Sequence, residues 1–460
     1  MAEARMKTPR PGRFLVRLVM LIAISFAAGI QPASAQQILR DSETEALLRD
    51  MSRPLIEGAG LQPSNVRIVI IGDPQINAFT AGGQIVYLNS GLFTSAENAN
   101  EVQGVIAHEL GHITGGHVLR QSEGVRQATG IMILSLLLGA AAMAAGAGDA
   151  GMASIMAGQQ MAMGRFLTFT RDQESGADQA GASFLSRAGI SGRGSLAFFR
   201  RLESLEFRMD IPQTDSYART HPLNSERIAA LENRYQTDPA WNRPTDPALE
   251  ARFQRVRAKL SGYVDDARQV LLRYPASNQS IPAHYARAYA WHRTGHPDEA
   301  NQEADALLRV QPHDPYFLEL KGQILLEGGH PREALSVLRE AVARAPDQPL
   351  IAALLGHALI STEDLGNFEE AKRVLRLAVA RDNDNPFAWY QLGIVYDREG
   401  DEARASLATA ERYSLEGNQA LALPNAERAM MGIPVNSPDW IRAQDIAMTA
   451  RAAALQRRRR

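Results

Sequence analysis

Residues 101–119 read EVQGVIAHELGHITGGHVL. Val102, Val105, Ile106, Leu110 and Ile113 recur at the three- and four-residue spacing of one buried stripe, so a helix is predicted over Glu101 to Leu119. His108 and His112 stand four apart, which puts both imidazoles on one face of that helix, one turn apart, as a shared metal ion requires. Glu109 falls beside them, where its carboxylate can take a proton from water on that ion. The plainer alternative is a solvent-facing helix that happens to carry two histidines. The chain has no cysteine, so a disulfide framework is excluded and a transition-metal site has to be built from His, Asp or Glu.

Working outward, Ser42 to Gly58 carries Leu47, Leu48, Met51, Leu55 and Ile56 at helical spacing. Val66 to Ile71 is a short β-branched run and reads as a strand. Ile76 to Phe79 and Ile85 to Leu88 flank Ala81-Gly82-Gly83, the pattern of an antiparallel hairpin with a glycine turn. The order helix, strands, helix predicts an α+β arrangement that sets the histidine helix beside an exposed strand edge. Asn77, Ala78 and Phe79 on that edge are candidates for pairing with an extended substrate backbone.

A catalytic zinc site uses three protein ligands and leaves one position for water. Downstream, Arg171-Asp172-Gln173-Glu174-Ser175-Gly176-Ala177-Asp178 precedes an apolar helical stretch. Glu174 is the best candidate for the third ligand, against the alternative that it caps a helix or pairs with Arg171. Asp178, one turn later, is placed to orient a ligand imidazole through its other ring nitrogen. His117 sits too far along the helix to join the same ion and is read as a non-ligand. His221-Pro222 and Arg227 form a second polar cluster after the loop Gln213 to Thr220, and their spacing alone reads as loop and surface residues.

At 460 residues two domains are expected. Arg5, Lys7, Arg10, Arg13 and Arg17 precede an apolar run from Leu18 to Ile30 and then Ala33-Ser34-Ala35, the order of a secretory signal peptide cleaved before Gln36. A retained anchor is the alternative, but the apolar run is short for a span. Residues 129–164 are apolar and rich in Gly, Ala and Met. They read as a lid-forming helical hairpin, or as a surface that touches lipid. From about Phe253 the texture becomes repetitive. Gly295 and Gly329, Ala300 and Ala334, Pro315 and Pro349, and Gly322 and Gly356 are each 34 apart, and the next step is 37, with three extra residues near Thr362-Glu363-Asp364. A 34-residue helical unit with small residues where helices meet is the tetratricopeptide signature; an irregular helical bundle is the alternative. A net charge of -2 gives no reason to expect a nucleic-acid partner, and the arginines at 457–460 read as a solvated tail.

Asn77-Ala78-Phe79 with Gly82-Gly83, the 108–112 motif, Glu174 through Asp178, and His221-Pro222 through Arg227-Ile228 occur in one order. In that order the chain resembles the HtpX/BepA-type gluzincin metallopeptidases, most closely the periplasmic BepA-like branch that joins such a domain to C-terminal tetratricopeptide repeats. The resemblance implies an α+β zincin-type metalloprotease domain followed by an all-α tetratricopeptide-repeat solenoid, divided as 1–35 signal peptide, 36–250 peptidase, 251–435 repeats and 436–460 C-terminal helix and basic tail. It implies one Zn2+ held by His108, His112 and Glu174, with Glu109 as the base. It places His221 on a regulatory loop that approaches the open metal position at rest, and Arg227 beside the substrate cleft, either one a candidate oxyanion donor. Residues 129–164 then correspond to a lid region where integral-membrane relatives have spanning helices. The implied setting is the periplasm, with peripheral membrane contact, misfolded or misassembled envelope proteins as substrates, and the outer-membrane β-barrel assembly machinery as a partner. The competing expectation is a non-catalytic repeat-based chaperone or adaptor, against which the intact metal motif argues.

Overall fold

The computed structural model describes residues 37–144, 147–209, 221–222 and 225–459. The predicted signal peptide and the loop Gln213 to Thr220 lie outside the described residues. Helix α1 (Ser42–Gly58) starts where the Asp41 carboxylate accepts from the Thr44 backbone N–H at 2.7 Å, the usual way an orphan donor of the first turn is satisfied. Four short strands follow one another as β1 (Ile38–Leu39), β2 (Arg67–Ile71), β3 (Ala78–Thr80) and β4 (Ile85–Asn89). They form one sheet in the order β1-β2-β4-β3, with β2 and β4 parallel and the other pairs antiparallel. The turn between β3 and β4 carries Gly82 and Gly83 at φ 60° and 66°, the left-handed region that glycine enters without a side-chain clash. β3 therefore lies at the edge of the sheet, with Ala78 opposite Leu88.

Helix α2 (Ser90–Ser95) leads into α3 (Ala99–Thr114), capped by Asn98, whose side chain accepts from the Glu101 N–H. The structure corrects the predicted extent of this helix. It ends at Thr114 rather than Leu119, because Gly115 and Gly116, the latter at φ 63°, reverse the chain, and α4 (His117–Ala144) starts afresh. α5 (Gly148–Ala188) runs back along α4, and α6 (Arg193–Met209), α7 (Ser225–Gln236) and α8 (Pro247–Val264) complete the region. Its core gathers Leu47, Met51, Val86, Phe93, Ile106 and Phe198 with Phe253, Val256 and Leu260 of α8.

After α9 (Ala267–Arg273) the chain is a series of helix pairs. They are α10 (Ile281–Arg293) with α11 (Pro297–Val310), α12 (Pro315–Glu327) with α13 (Pro331–Arg344), α14 (Pro349–Ser361) with α15 (Phe368–Arg381), and α16 (Pro386–Arg398) with α17 (Glu402–Leu415). α18 (Gln419–Gly432) and α19 (Pro438–Arg459) end it. Proline at the first turn suits a position whose N–H has no partner in any case. The small residues stand where helices meet: a methyl at Gly322 would collide with Leu338, and one at Gly356 with Leu375, the same contact one repeat later. The three extra residues of the 37-residue step are taken up by a 3-10 turn at Leu365–Asn367, preceded by Glu363 at φ 55°.

Residues Ile38–Arg460 form one compact unit, and a buried ionic cluster joins its two halves. Lys259 of α8 meets Asp41 at 2.5 Å and Glu43 at 3.4 Å; Glu43 also takes Arg255 and the Tyr285 hydroxyl, and Arg255 reaches Asp314 at 2.7 Å. Further along, Arg40 pairs with Asp382 and Arg67 with Asp384, so the solenoid returns to the strands it left.

Candidate metal centre

Two close helix crossings build the site. A methyl on Gly111 would lie 2.6 Å from the carbonyl oxygen of Ala177, and one on Gly181 would lie 3.0 Å from the backbone of Ala107 and His108. Without side chains at these two points α5 rests directly on α3, and Glu174 and Asp178 of α5 reach the histidines. His108, His112, Glu174 and His221 are all buried, and one donor atom from each lies within 4.8 Å of all the others.

The separations test whether this set fits an ion. His108 Nε2 is 3.1 Å from His112 Nε2, 3.4 Å from Glu174 Oε2 and 3.3 Å from His221 Nδ1; His112 Nε2 is 3.4 Å from Glu174 Oε1, and His221 Nδ1 is 3.2 Å from Glu174 Oε2. A tetrahedral zinc ion with ligands at about 2.0–2.1 Å sets neighbouring donors roughly 3.3–3.4 Å apart. The donor set is that of zinc, and so is the spacing.

The rest of the shell fixes the rings. His108 Nδ1 meets Asp178 Oδ1 at 2.9 Å, which leaves its Nε2 lone pair for the ion. Arg227 holds Asp178 from the other side with two bonds of 2.7 and 2.9 Å, lies 3.1 Å from Glu174, and donates to the Pro222 carbonyl at 2.7 Å. It thus braces the carboxylates and the chain at His221, a duty its sequence position did not reveal. His117, expected to be a non-ligand, is absent from the donor cluster, yet its Nδ1 sits 2.9 Å from His112 Nδ1. A methyl on Gly115 would strike its ring, so the reversal at Gly115-Gly116 is what folds His117 back, and that glycine pair was the available sign.

The electrostatics match. Burial disfavours charge on His108, but the carboxylates of Asp178 and Glu174 outweigh it and lift the imidazole to about 10. Burial, with the neighbouring His108 and His221 rings, drives His112 down to about 2. Burial acts to raise Glu174, yet its bonds to His108 and His221 hold it well below the usual carboxylate range, and Asp178 is held down in the same way by His108 and Arg227. Beside the Arg227 guanidinium the two carboxylates favour a second positive charge on His108, the place a divalent cation takes from a proton.

Glu109 is fully buried, and among the described residues neither carboxylate oxygen has a hydrogen-bond partner, though His221 Nε2 approaches Oε1 at 3.3 Å. Burial pushes its carboxyl up, the direction expected of a group that must accept a proton near neutrality. The same His221 Nε2 lies 3.2 Å from the Ala78 carbonyl of β3. Asn77 accepts from the Asn89 N–H, and Phe79 stacks on Tyr87 at 5.1 Å, so the edge strand runs past the metal cluster with His221 seated on it.

Residues 42–235 match the model of peptidase family M48, and residues 285–349 and 325–392 match tetratricopeptide-repeat models. The chain is 26% identical over 404 residues to the beta-barrel assembly-enhancing protease of Yersinia pestis, covering 85% of this chain and 80% of that one. The protein of the same name from Escherichia coli K12 is 25% identical over 398 residues, 84% and 79% of the two chains. Metalloprotease YcaL of Escherichia coli K12 is 32% identical over 176 residues, 37% of this chain and 62% of that one. The buried zinc-type donor set and the 34-residue helical period thus fall within the segments that match the two kinds of family model: residues 42–235 are an M48-family metallopeptidase region, continued by tetratricopeptide repeats.

Proposed function

We propose that this zinc peptidase cleaves extended segments of misfolded or misassembled envelope proteins in the periplasm, and that the repeats recruit them. The four-donor cluster with the buried Glu109 carboxylate beside it, against the His221 ring, is the observation that carries the reading. His108, His112 and Glu174 hold the ion, with Asp178, His117 and Arg227 orienting them. Zinc, when bound, polarises the scissile carbonyl and makes the attacking water more acidic. Glu109 takes the proton from that water and delivers it to the leaving amine. An extended substrate adds to the edge of β3 at Asn77 to Phe79, where backbone pairing gives affinity with little sequence preference.

His221 is the fourth donor, and a closed four-donor shell is the arrangement of structural zinc sites. Cleavage therefore requires His221 to withdraw, and the arrangement described is the resting one. Once withdrawn, His221 leaves the fourth donor position open; Arg227, committed to Asp178 and Glu174, braces the shell. The division proposed is a peptidase part of residues 36–250 and repeats of 251–435, followed by the helix and tail of 436–460. α8 straddles the first boundary and serves both halves. The names of the Yersinia and Escherichia relatives favour substrates and partners in outer-membrane β-barrel assembly, and the N-terminal leader pattern favours export.

The test is zinc content and casein cleavage in wild type, Glu109→Gln and His221→Ala. Glu109→Gln is expected to retain zinc and lose about 10²–10⁴ in rate, and His221→Ala to cleave faster than wild type. Casein digestion by Glu109→Gln at the wild-type rate would remove Glu109 from the mechanism, and loss of cleavage in His221→Ala would make His221 a catalytic donor.

A further inference from the structure

The hairpin of α4 and α5 is built inside out. Among the described residues between Arg126 and Arg165, its buried positions are Ser135 and Gly139 on α4 and Gly151, Gly158 and Ala162 on α5, all small. Methyls built on the glycines would collide across the pair, Gly139 with Ile155, Gly151 with Met143 and Gly158 with Ser135, so the two backbones are in near contact. Apart from Ile155 and Met143, which lie over the seam glycines, the large apolar side chains point away from that seam. Ile133, Leu134, Leu136, Leu137 and Leu138 on one helix and Met152, Met156, Met161 and Met163 on the other are exposed, Leu137 by 64% and Met161 by 64%. A hairpin folded for water does the reverse, because burying large apolar groups is its main source of stability. In lipid the tails solvate Leu and Met as well as a protein core does, and helices associate instead through small residues that let backbones approach.

Charge divides the hairpin at matching heights. Between Arg126 and Arg165 the only charged residue is Asp149, at the turn. Arg120 and Arg126 on α4 and Arg165 and Arg171 on α5 stand at the base, a collar suited to anionic headgroups. From residue 127 to 144 the helix is uncharged and rises roughly 27 Å at 1.5 Å per residue, close to the ~30 Å hydrocarbon thickness of a bilayer. That reach carries Asp149 to the far polar zone and leaves the collar at the near one.

We propose that the α4–α5 hairpin inserts tip first into the hydrocarbon of a lipid bilayer, with the arginine collar at the headgroups. The docking does not depend on the peptidase reading. It does bear on it, since α4 begins at His117 against His112, and α5 carries Glu174 nine residues beyond Arg165. The metal cluster then stands roughly 5–14 Å above the collar, three residues from Arg171 and nine from Arg165 at about 1.5 Å each, within reach of chain emerging at a membrane surface.

The absence of cysteine allows a direct test. Residues 36–460, which contain the compact unit and lack the apolar leader, are labelled with an environment-sensitive fluorophore at Leu137→Cys or, as a control on the repeats, Leu421→Cys. Vesicles of phosphatidylethanolamine and phosphatidylglycerol are added, some carrying nitroxide on the acyl chains. The Leu137→Cys probe is expected to shift to the blue and be quenched by acyl-chain nitroxide, while the control does neither. Leu137→Asp, at an exposed position, is expected to lower the vesicle partition coefficient roughly a hundredfold, the penalty for a carboxylate at helix centre. Three results overturn the proposal: no vesicle binding by the wild type, binding that Leu137→Asp leaves unchanged, or a Leu137→Cys probe already shielded without lipid. The last would mean that a second copy, or the chain itself, covers the hairpin.

Discussion

Gly111 of the zinc motif is expected to be as important as its histidines, for a reason of distance alone. In Gly111→Ala the new methyl would stand 2.6 Å from the Ala177 carbonyl oxygen and 2.8 Å from its Cα, where ordinary contact begins near 3.4 Å. Both offending atoms are backbone, so no side chain can turn aside; α3 and α5 must separate by about 0.8 Å, the difference between 3.4 and 2.6. Ala177 lies in the same turn of helix as Glu174 and Asp178, which move with it. The 3.4 Å approaches of Glu174 to His108 and His112 then open beyond 4 Å, and no zinc position keeps all its ligands within the ±0.2 Å or so that such sites tolerate. The bond from Asp178 to His108 stretches as well. Overpacking of this kind costs about 1–3 kcal/mol of stability, and loosening the ligands and the groups that orient them lowers metal affinity about 10–100-fold. Zinc affinity is read by competition with a chromophoric chelator, and stability by denaturation of the metal-free protein. Gly164→Ala serves as control, since nothing lies within 4 Å of a methyl there. If Gly111→Ala bound zinc within about threefold of wild type and was equally stable, the missing side chain would not be what sets the helix approach, and the reasoning would fail.

Two further substitutions probe features away from the ligands themselves. His117→Ala removes the partner of His112 Nδ1 and is expected to lower zinc affinity about tenfold or more while leaving the fold intact; unchanged affinity would make the contact incidental. Lys259→Met leaves the part-buried Asp41 and the buried Glu43 carboxylates at the junction without their ammonium, a loss of up to about 3–5 kcal/mol to be read as a lower urea midpoint. Burial acts to raise Asp41, but its ion pair with Lys259 wins and holds it below its usual 3.8. The stabilisation is therefore complete above that pH and is lost as pH falls through the folded value. Wild type should approach the variant's stability in acid, and a difference that persists at low pH would assign the effect to packing instead.

What the sequence disclosed follows the range of the interactions involved. The Ser42–Gly58 helix, the Gly82-Gly83 hairpin and the 34-residue period are local patterns, and each is legible from neighbours in the chain. The parallel pairing of β2 with β4 is not, since nothing in either strand names its partner. The histidine helix was read too long because its apolar stripe continues through Val118, whereas a glycine pair outweighs a stripe when one of them needs a positive φ. Spacing alone reads Arg227 as a surface cation because arginine is seldom buried, and only the resemblance places it beside the substrate cleft; its 8% exposure comes from two carboxylates 49 and 53 residues away. The junction cluster around Glu43 escaped for the same reason.

The geometry of His221 ties binding to opening. Its Nδ1 completes the donor shell, while its Nε2 rests on the Ala78 carbonyl and against Glu109. An extended chain that adds to the edge of β3 competes for that carbonyl, the nucleophilic water competes for the fourth donor position, and the base is released only when the ring leaves. On the proposed resting arrangement one side chain opposes three requirements of cleavage together, and a substrate that meets the first weakens its hold on the other two. Reciprocity requires the converse: whatever draws the ring away from the metal cluster increases affinity for an extended peptide at β3 by the same factor. His221→Ala should therefore bind an uncleaved peptide more tightly in the Glu109→Gln background, where turnover cannot confuse the measurement. Equal affinities there would separate the strand edge from the gate.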